Sequence, residues 1–155
     1  MQKFIIRQRP PIIVLYFSRA TMPELMAALD EVAEPCHVMN SVAWYFPGNE
    51  DWRLQAHFDP GIVEEYTENE RELVYAEVGR APSAVLALIL NTRFPDEAGK
   101  AAKMLAQHLL AMFYGIADNR AGDESIWNLE EIRNSKHGVE FPGKVAPQTF
   151  RRSGT

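Results

Sequence analysis

Cysteine is almost absent from this chain. A single thiol, Cys36, among 155 residues excludes an internal disulfide framework and any zinc site assembled from several cysteines. Histidine is scarce too. His37, His57, His108 and His137 never stand four residues from one another or from the cysteine, so no helical pair of metal ligands is written into the chain. Long hydrophobic runs are missing: the longest, residues 84–90, falls far short of the ~20 apolar residues that cross a bilayer and fits a buried strand. Residues 1–9 are basic, but the apolar run after them is short and interrupted by Ser18 and Arg19, unlike a secretory signal. The expectation is a soluble, cytoplasmic protein with its thiol reduced and no membrane partner. Also missing are the GxSxG, HExxH, GxGxxG and P-loop signatures. No catalytic residue, metal or cofactor is therefore expected.

Basic charge is in deficit, with 16 Lys and Arg against 21 Asp and Glu and a formal net charge of −5. That balance disfavours non-specific nucleic-acid binding, which needs cations to neutralise phosphates. Hydrophobic residues at 46% and charged residues at 24% are ordinary for a globular chain of one domain. The charge is unevenly spread. Residues 1–22 hold Lys3, Arg7, Arg9 and Arg19 and no acid. Residues 50–77 hold nine acids against Arg53 and Arg71, and residues 133–155 hold five basic residues against Glu140. An acidic middle lies between two basic ends.

The pattern of apolar residues predicts a strand at 12–18. A helix follows, opened by Thr21 and Glu24 as a capping box, with Met22, Leu25, Leu29 and Val32 on its buried stripe and Pro35 barring its continuation. Residues 38–46 and 51–58 read as a hairpin around Pro47-Gly48-Asn49-Glu50. Along its second strand Trp52, Leu54, Ala56 and Phe58 share one face, and Asp51, Arg53, Gln55 and His57 the other. Asp59-Pro60 opens a short helix to about Glu68. Residues 72–78 and 84–94 form a second hairpin, and Pro95 opens a long helix with Ala98, Ala102, Leu105, Leu109 and Met112 buried and Gly115 as C-cap. Residues 126–132 form a short last element. The expected fold is α+β, a single domain over 1–132 with a polar basic arm at 133–155. Its order, β-α-β-β-(α)-β-β-α, implies a mostly antiparallel sheet of about five strands with two main helices on one face.

Chemistry-bearing clusters are few. Cys36 and His37 are adjacent, so on an extended chain they point to opposite faces. His108, beside Leu105 and Met112, reads as a histidine at the edge of the core. Residues 118–124 resemble a calcium loop only loosely, since Arg120 stands where an oxygen ligand belongs, and a solvated turn is the plainer reading. What remains is the acidic middle, whose field would attract and steer a basic partner. The expected partner-binding residues are Asp51, Arg53, Gln55, His57, Asp59, Glu64, Glu65 and Glu68, with Trp44 and Tyr45 on the neighbouring strand.

One resemblance bears on this. Phe113-Tyr114-Gly115-Ile116-Ala117-Asp118, followed by Ser125-Ile126-Trp127-Asn128-Leu129-Glu130-Glu131-Ile132, resembles the closing segment of small bacterial immunity proteins that neutralise polymorphic or contact-delivered toxins. The resemblance implies a stoichiometric inhibitor, commonly acidic, that occludes its cognate toxin, and it assigns no residue roles. The leading expectation is such a protein-binding module. Two others stand beside it: a small enzyme or ligand-binding domain with a pocket between sheet and helix around His57, Arg53 and Tyr45, and a homo-oligomer such as a homodimer.

Overall fold

Consecutive β-branched, leucine and aromatic residues favour a strand covered on both sides. In the computed structural model, which describes residues 4–7, 12–120, 125–136, 140–143 and 150–153, such a strand lies inside a seven-stranded sheet. The elements in chain order are β1 (Phe4–Arg7), β2 (Ile12–Phe17), α1 (Met22–Val32), β3 (Glu34–Val38), β4 (Ser41–Phe46), β5 (Leu54–Phe58), a 3-10 turn (Pro60–Glu65) and α2 (Glu68–Val78). They continue with β6 (Ala84–Leu90), α3 (Pro95–Met112), β7 (Gly115–Asn119), β8 (Ser125–Trp127), α4 (Leu129–Asn134) and β9 (Phe150–Ser153). The sheet order is β3-β4-β5-β6-β2-β7-β8, antiparallel at every step. β1 and β9 pair in a separate antiparallel ribbon.

Alternation along β2 divides the core. Ile13, Leu15 and Phe17 face α1, α3 and α4, where Leu25, Leu29, Ala102, Leu109 and Ile132 are buried with them. Val14 and Tyr16 face the other way, against Val74 and Val78 of α2 and Ile62 and Tyr66 just before it. The two main helices thus share one face, as expected, and a third covers part of the opposite face. Among the described residues there are nine strands and four α-helices, against the expected five and two.

Several local expectations are corrected. Residues 72–78 are not a strand but the body of α2. Thr67 Oγ1 accepts from Glu70 N at 3.2 Å while Glu70 Oε1 accepts from Thr67 N at 3.0 Å, and Gly79 closes the helix in the left-handed region at φ 91°. Val74 and Val78, four apart, supply the buried stripe. The helix expected from Asp59 to Glu68 stops as a 3-10 turn at Glu65, and Glu68 begins α2 instead. The strand expected over 38–46 begins only at Ser41, because Met39 turns the chain with φ 55°, and Glu34–Val38 before the turn forms a further strand. Pro35 does bar the first helix from continuing, and then sits on edge strand β3, where a missing N–H is tolerated. Gly115 is not a helix cap: Phe113 ends α3 and Gly115 opens β7. Met22 and Met112 are about half exposed, and His108 is exposed on α3. Beyond α4, Phe141 is fully buried with its ring 5.2 Å from that of Trp127. Residues 137–139, 144–149 and 154–155 of the expected arm, His137 included, lie outside the described residues. So do Pro10-Pro11 and Ala121–Glu124 of the loop likened to a calcium site.

Candidate functional site

Of the residues expected to bind a partner, Gln55 and His57 share one face of the sheet, whereas the Arg53 side chain is drawn to the helix on the other face. Arg53 does not alternate with Gln55 and His57, because β5 begins only at Leu54. Its guanidinium is drawn to the first turn of α3, with Nε 2.5 Å from Glu97 Oε2, Nη1 2.7 Å from Asp51 Oδ1, and Cζ 3.6 Å from the Phe94 ring centre. These contacts neutralise the cation and pin it to the helix. Gln55 lies opposite Tyr45 and Ile89, and His57 opposite Ala87, on the face that α2 partly covers. Trp52 joins them, its ring 5.9 Å from Tyr45, whereas Trp44 is buried on the other face. Asp59 precedes the 3-10 turn that contains Glu64 and Glu65, and Glu68 stands in the first turn of α2. Arg53 turns to α3, while Tyr45 and His57 lie on the opposite face of the sheet, so these three polar groups do not come together.

His57 carries its own constraint. Burial holds its imidazole below the ordinary value, with the Asp59 charge opposing in part, and Nδ1 is buried without a hydrogen-bond partner. A folded-state value below the unfolded one means that the unfolded chain binds the proton more readily. This contribution therefore favours the native state above the unfolded value of about 6.5 and is lost as pH falls toward the folded value. Urea midpoints measured between about pH 8 and about pH 5 are expected to fall less steeply in His57→Gln than in the wild type. Parallel curves would show that this imidazole contributes nothing.

The groups that do converge were not the ones singled out from the sequence. A cleft of about 440 Å³ opens between α2, the β7–β8 end of the sheet and the start of α4. Four carboxylates line it: Glu70 and Glu77 from α2, Asp118 from β7 and Glu131 from α4. Leu73, Val74, Ile116 and Ile126 provide apolar wall and floor. On α2 the contributors fall at 70, 73, 74 and 77, the spacing of one helical stripe. Glu70 and Glu131 are there for a local reason as well, since each is the acid of its helix's capping box. Helical spacing at 70–77 was the available signal, and reading 72–78 as a strand concealed it.

Beneath the cleft runs a buried hydrogen-bond chain. The Tyr16 hydroxyl donates to Tyr66 Oη at 2.7 Å, and the Tyr66 hydroxyl donates to the Asp118 carboxylate. Burial first, and the bond to Asp118 second, push the Tyr66 phenol far above its ordinary range. Burial also raises Tyr16, against the opposing effect of its bond to Tyr66. Burial thus favours the protonated form of both phenols, with Tyr16 donating to Tyr66 and Tyr66 to Asp118. The Arg120 guanidinium lies 5.3 Å from the Tyr66 ring centre.

Among the described residues, no three His, Cys, Asp or Glu side chains gather closely enough to hold a metal ion. Of the cleft's carboxylates Asp118 is buried, whereas Glu70, Glu77 and Glu131 are exposed. Among the described residues, too, no helix is long and apolar enough to cross a membrane. Fold and site together define an α+β protein with an acidic, apolar-floored cleft. Compared with protein-family models, with curated proteins and with solved structures, the chain matches none.

Proposed function

We propose that this chain is a non-enzymatic protein-binding module that seats a basic segment of a partner in the cleft beside α2. The carrying observation is the convergence of Glu70, Glu77, Asp118 and Glu131 around an apolar floor. Negative charge at the rim accelerates encounter with a positive partner, and apolar surface inside provides the area that holds it. The resemblance of 113–132 to bacterial immunity proteins makes the partner a toxin domain and the role stoichiometric neutralisation in the cytoplasm. Supporting the placement, Ile116, Asp118, Ile126, Asn128 and Glu131 from those segments line the cleft.

The test is co-expression with the product of the adjoining gene, then titration of the purified pair. A tight one-to-one complex is expected, forming more slowly as salt rises. The variant Glu70→Gln/Glu77→Gln/Glu131→Gln removes three charges while glutamine preserves both capping boxes. With exposed ion pairs contributing about 0.2–1 kcal/mol each, affinity should fall roughly 3- to 150-fold. Absence of a complex, or one indifferent to the triple variant, would overturn the reading.

A further inference from the structure

At one end of the sheet the turns that follow β2, α2 and α3 meet. Between them lies a hollow of about 340 Å³ lined by Ser18, Arg19, Val78, Gly79, Arg80 and Tyr114. It shares no residue with the acidic cleft. We infer that this hollow is a second binding site, for a small phosphate monoester with an aromatic body, of the nucleoside monophosphate class.

The fold builds this hollow from distant segments. Antiparallel pairing of β2 with both β6 and β7 brings the three turns to the same sheet end. Ser83 N donates to the Phe17 carbonyl and Ser83 Oγ to the Ala20 carbonyl, each at 2.7 Å, which ties the turn after α2 to the turn after β2. Ser18 N donates to the Tyr114 carbonyl at 3.1 Å and so ties in the turn after α3. Arg19 and Arg80 are thereby held at one hollow. Both are exposed, and among the described residues neither has an ion pair or a hydrogen bond, although acids outnumber bases in the chain. No carboxylate lines the hollow. Ser18 is an independent signal. It is 5% exposed, and its hydroxyl makes no hydrogen bond among the described residues. Buried hydroxyls normally find a partner, and an oxyanion in the hollow would accept from this one. Two guanidiniums and a hydroxyl suit the several oxygens of one phosphate group. Tyr114, 67% exposed, adds an aromatic face on which a flat body can stack. The volume stands at the lower end of the ~300–1,000 Å³ range of small-molecule pockets, so it suits one nucleotide rather than a polymer.

The experiment titrates the full chain with adenosine monophosphate, adenosine and inorganic phosphate by calorimetry. The monophosphate is expected to bind one to one with Kd below about 1 mM, inorganic phosphate about fivefold or more weakly, and adenosine not at all. Arg19→Gln and Arg80→Gln should each weaken the monophosphate by about tenfold or more, since each removes charge-assisted hydrogen bonds. Tyr114→Leu should weaken the monophosphate by about fivefold or more and leave inorganic phosphate unchanged. Ser18→Ala should weaken both by about threefold or more. Its melting temperature should stay within about 2 °C of the wild type, because no internal hydrogen bond is lost. A Ser18→Ala protein that melts well below that would show that the hydroxyl serves the fold and not a ligand. Absence of saturable binding, or binding indifferent to both arginine variants, overturns the site. Equal affinity for the monophosphate and inorganic phosphate overturns the aromatic body. A phosphoserine peptide that binds more tightly than the monophosphate overturns the small ligand.

Discussion

Gly115→Ala is expected to lower the melting temperature by about 6–12 °C, although it adds only a methyl group. A Cβ built at Gly115 falls 2.2 Å from the Tyr16 carbonyl oxygen and 3.2 Å from Leu110 Cδ2. The first neighbour is backbone of β2, which is held between β6 and β7 and cannot step aside without breaking ladder hydrogen bonds. Overpacking costs about 1–3 kcal/mol where side chains can adjust. Against fixed backbone the upper value applies, and a chain of this length loses about 2–4 °C per kcal/mol. Gly61→Ala is the control, because its Cβ meets nothing closer than Asp59 Oδ1 at 3.9 Å. Thermal unfolding followed by circular dichroism checks both. A Gly115→Ala protein melting within about 2 °C of the wild type would show that β7 can shift where the packing says it cannot.

Trp44→Ala should cost more, about 3–5 kcal/mol. Trp44 is 1% exposed, joins β4 to α1 through an Nε1–H bond to Asp30 Oδ1 at 2.7 Å, and meets the Phe58 ring edge-on at 5.8 Å. Removing the indole leaves a cavity between sheet and helix that neither element can close, since each is held by further buried residues. Asp30 is exposed and regains water, so nearly all of the loss comes from apolar burial and the cavity rather than from the severed hydrogen bond. Asp30→Ala tests that division. It leaves a buried indole N–H without its acceptor and should cost about 1–3 kcal/mol, less than loss of the ring. Chemical denaturation of both variants decides the order. If Asp30→Ala were the more damaging, the hydrogen bond and not the ring would hold α1 to the sheet.

Elements whose signals are local were legible in the sequence. The Thr21–Glu24 capping box opens α1, with Glu24 N donating to Thr21 Oγ1 at 3.3 Å, and the 3.6-residue spacing of Ala98, Ala102, Leu105 and Leu109 marks the buried side of α3. The unbroken apolar run at β6 placed that strand inside the sheet. Legibility failed where two periods fit the same letters. Leu73-Val74-Tyr75 followed by Val78 satisfies a short strand as well as a helix. The choice fell to Thr67, Glu70 and Gly79, which lie outside the apolar run. Gly115 failed in another way: its place after a helix suits a cap, yet the lack of a side chain serves a close approach to Tyr16, a residue 99 positions earlier.

For the candidate site the same division holds. Net charge by segment marked the acidic middle, and Glu70 and Glu77 belong to it. Asp118 and Glu131 come from distant segments and reach the cleft because β7 pairs with β2 while α4 follows from β8. Arg53, expected to face outward with Gln55, is bound to Glu97, 44 residues away.

By itself the sequence determined the class of the fold, the capped start of α1, the Pro95 opening of α3, the inner strand β6 and the sign of the charge. Each of these depends on interactions within a few residues or on composition. Only the tertiary structure decided which carboxylates share a cleft, which face α2 covers and why position 115 has no side chain. Those depend on strand order and pairing register, contacts between residues far apart in the chain that no local period encodes.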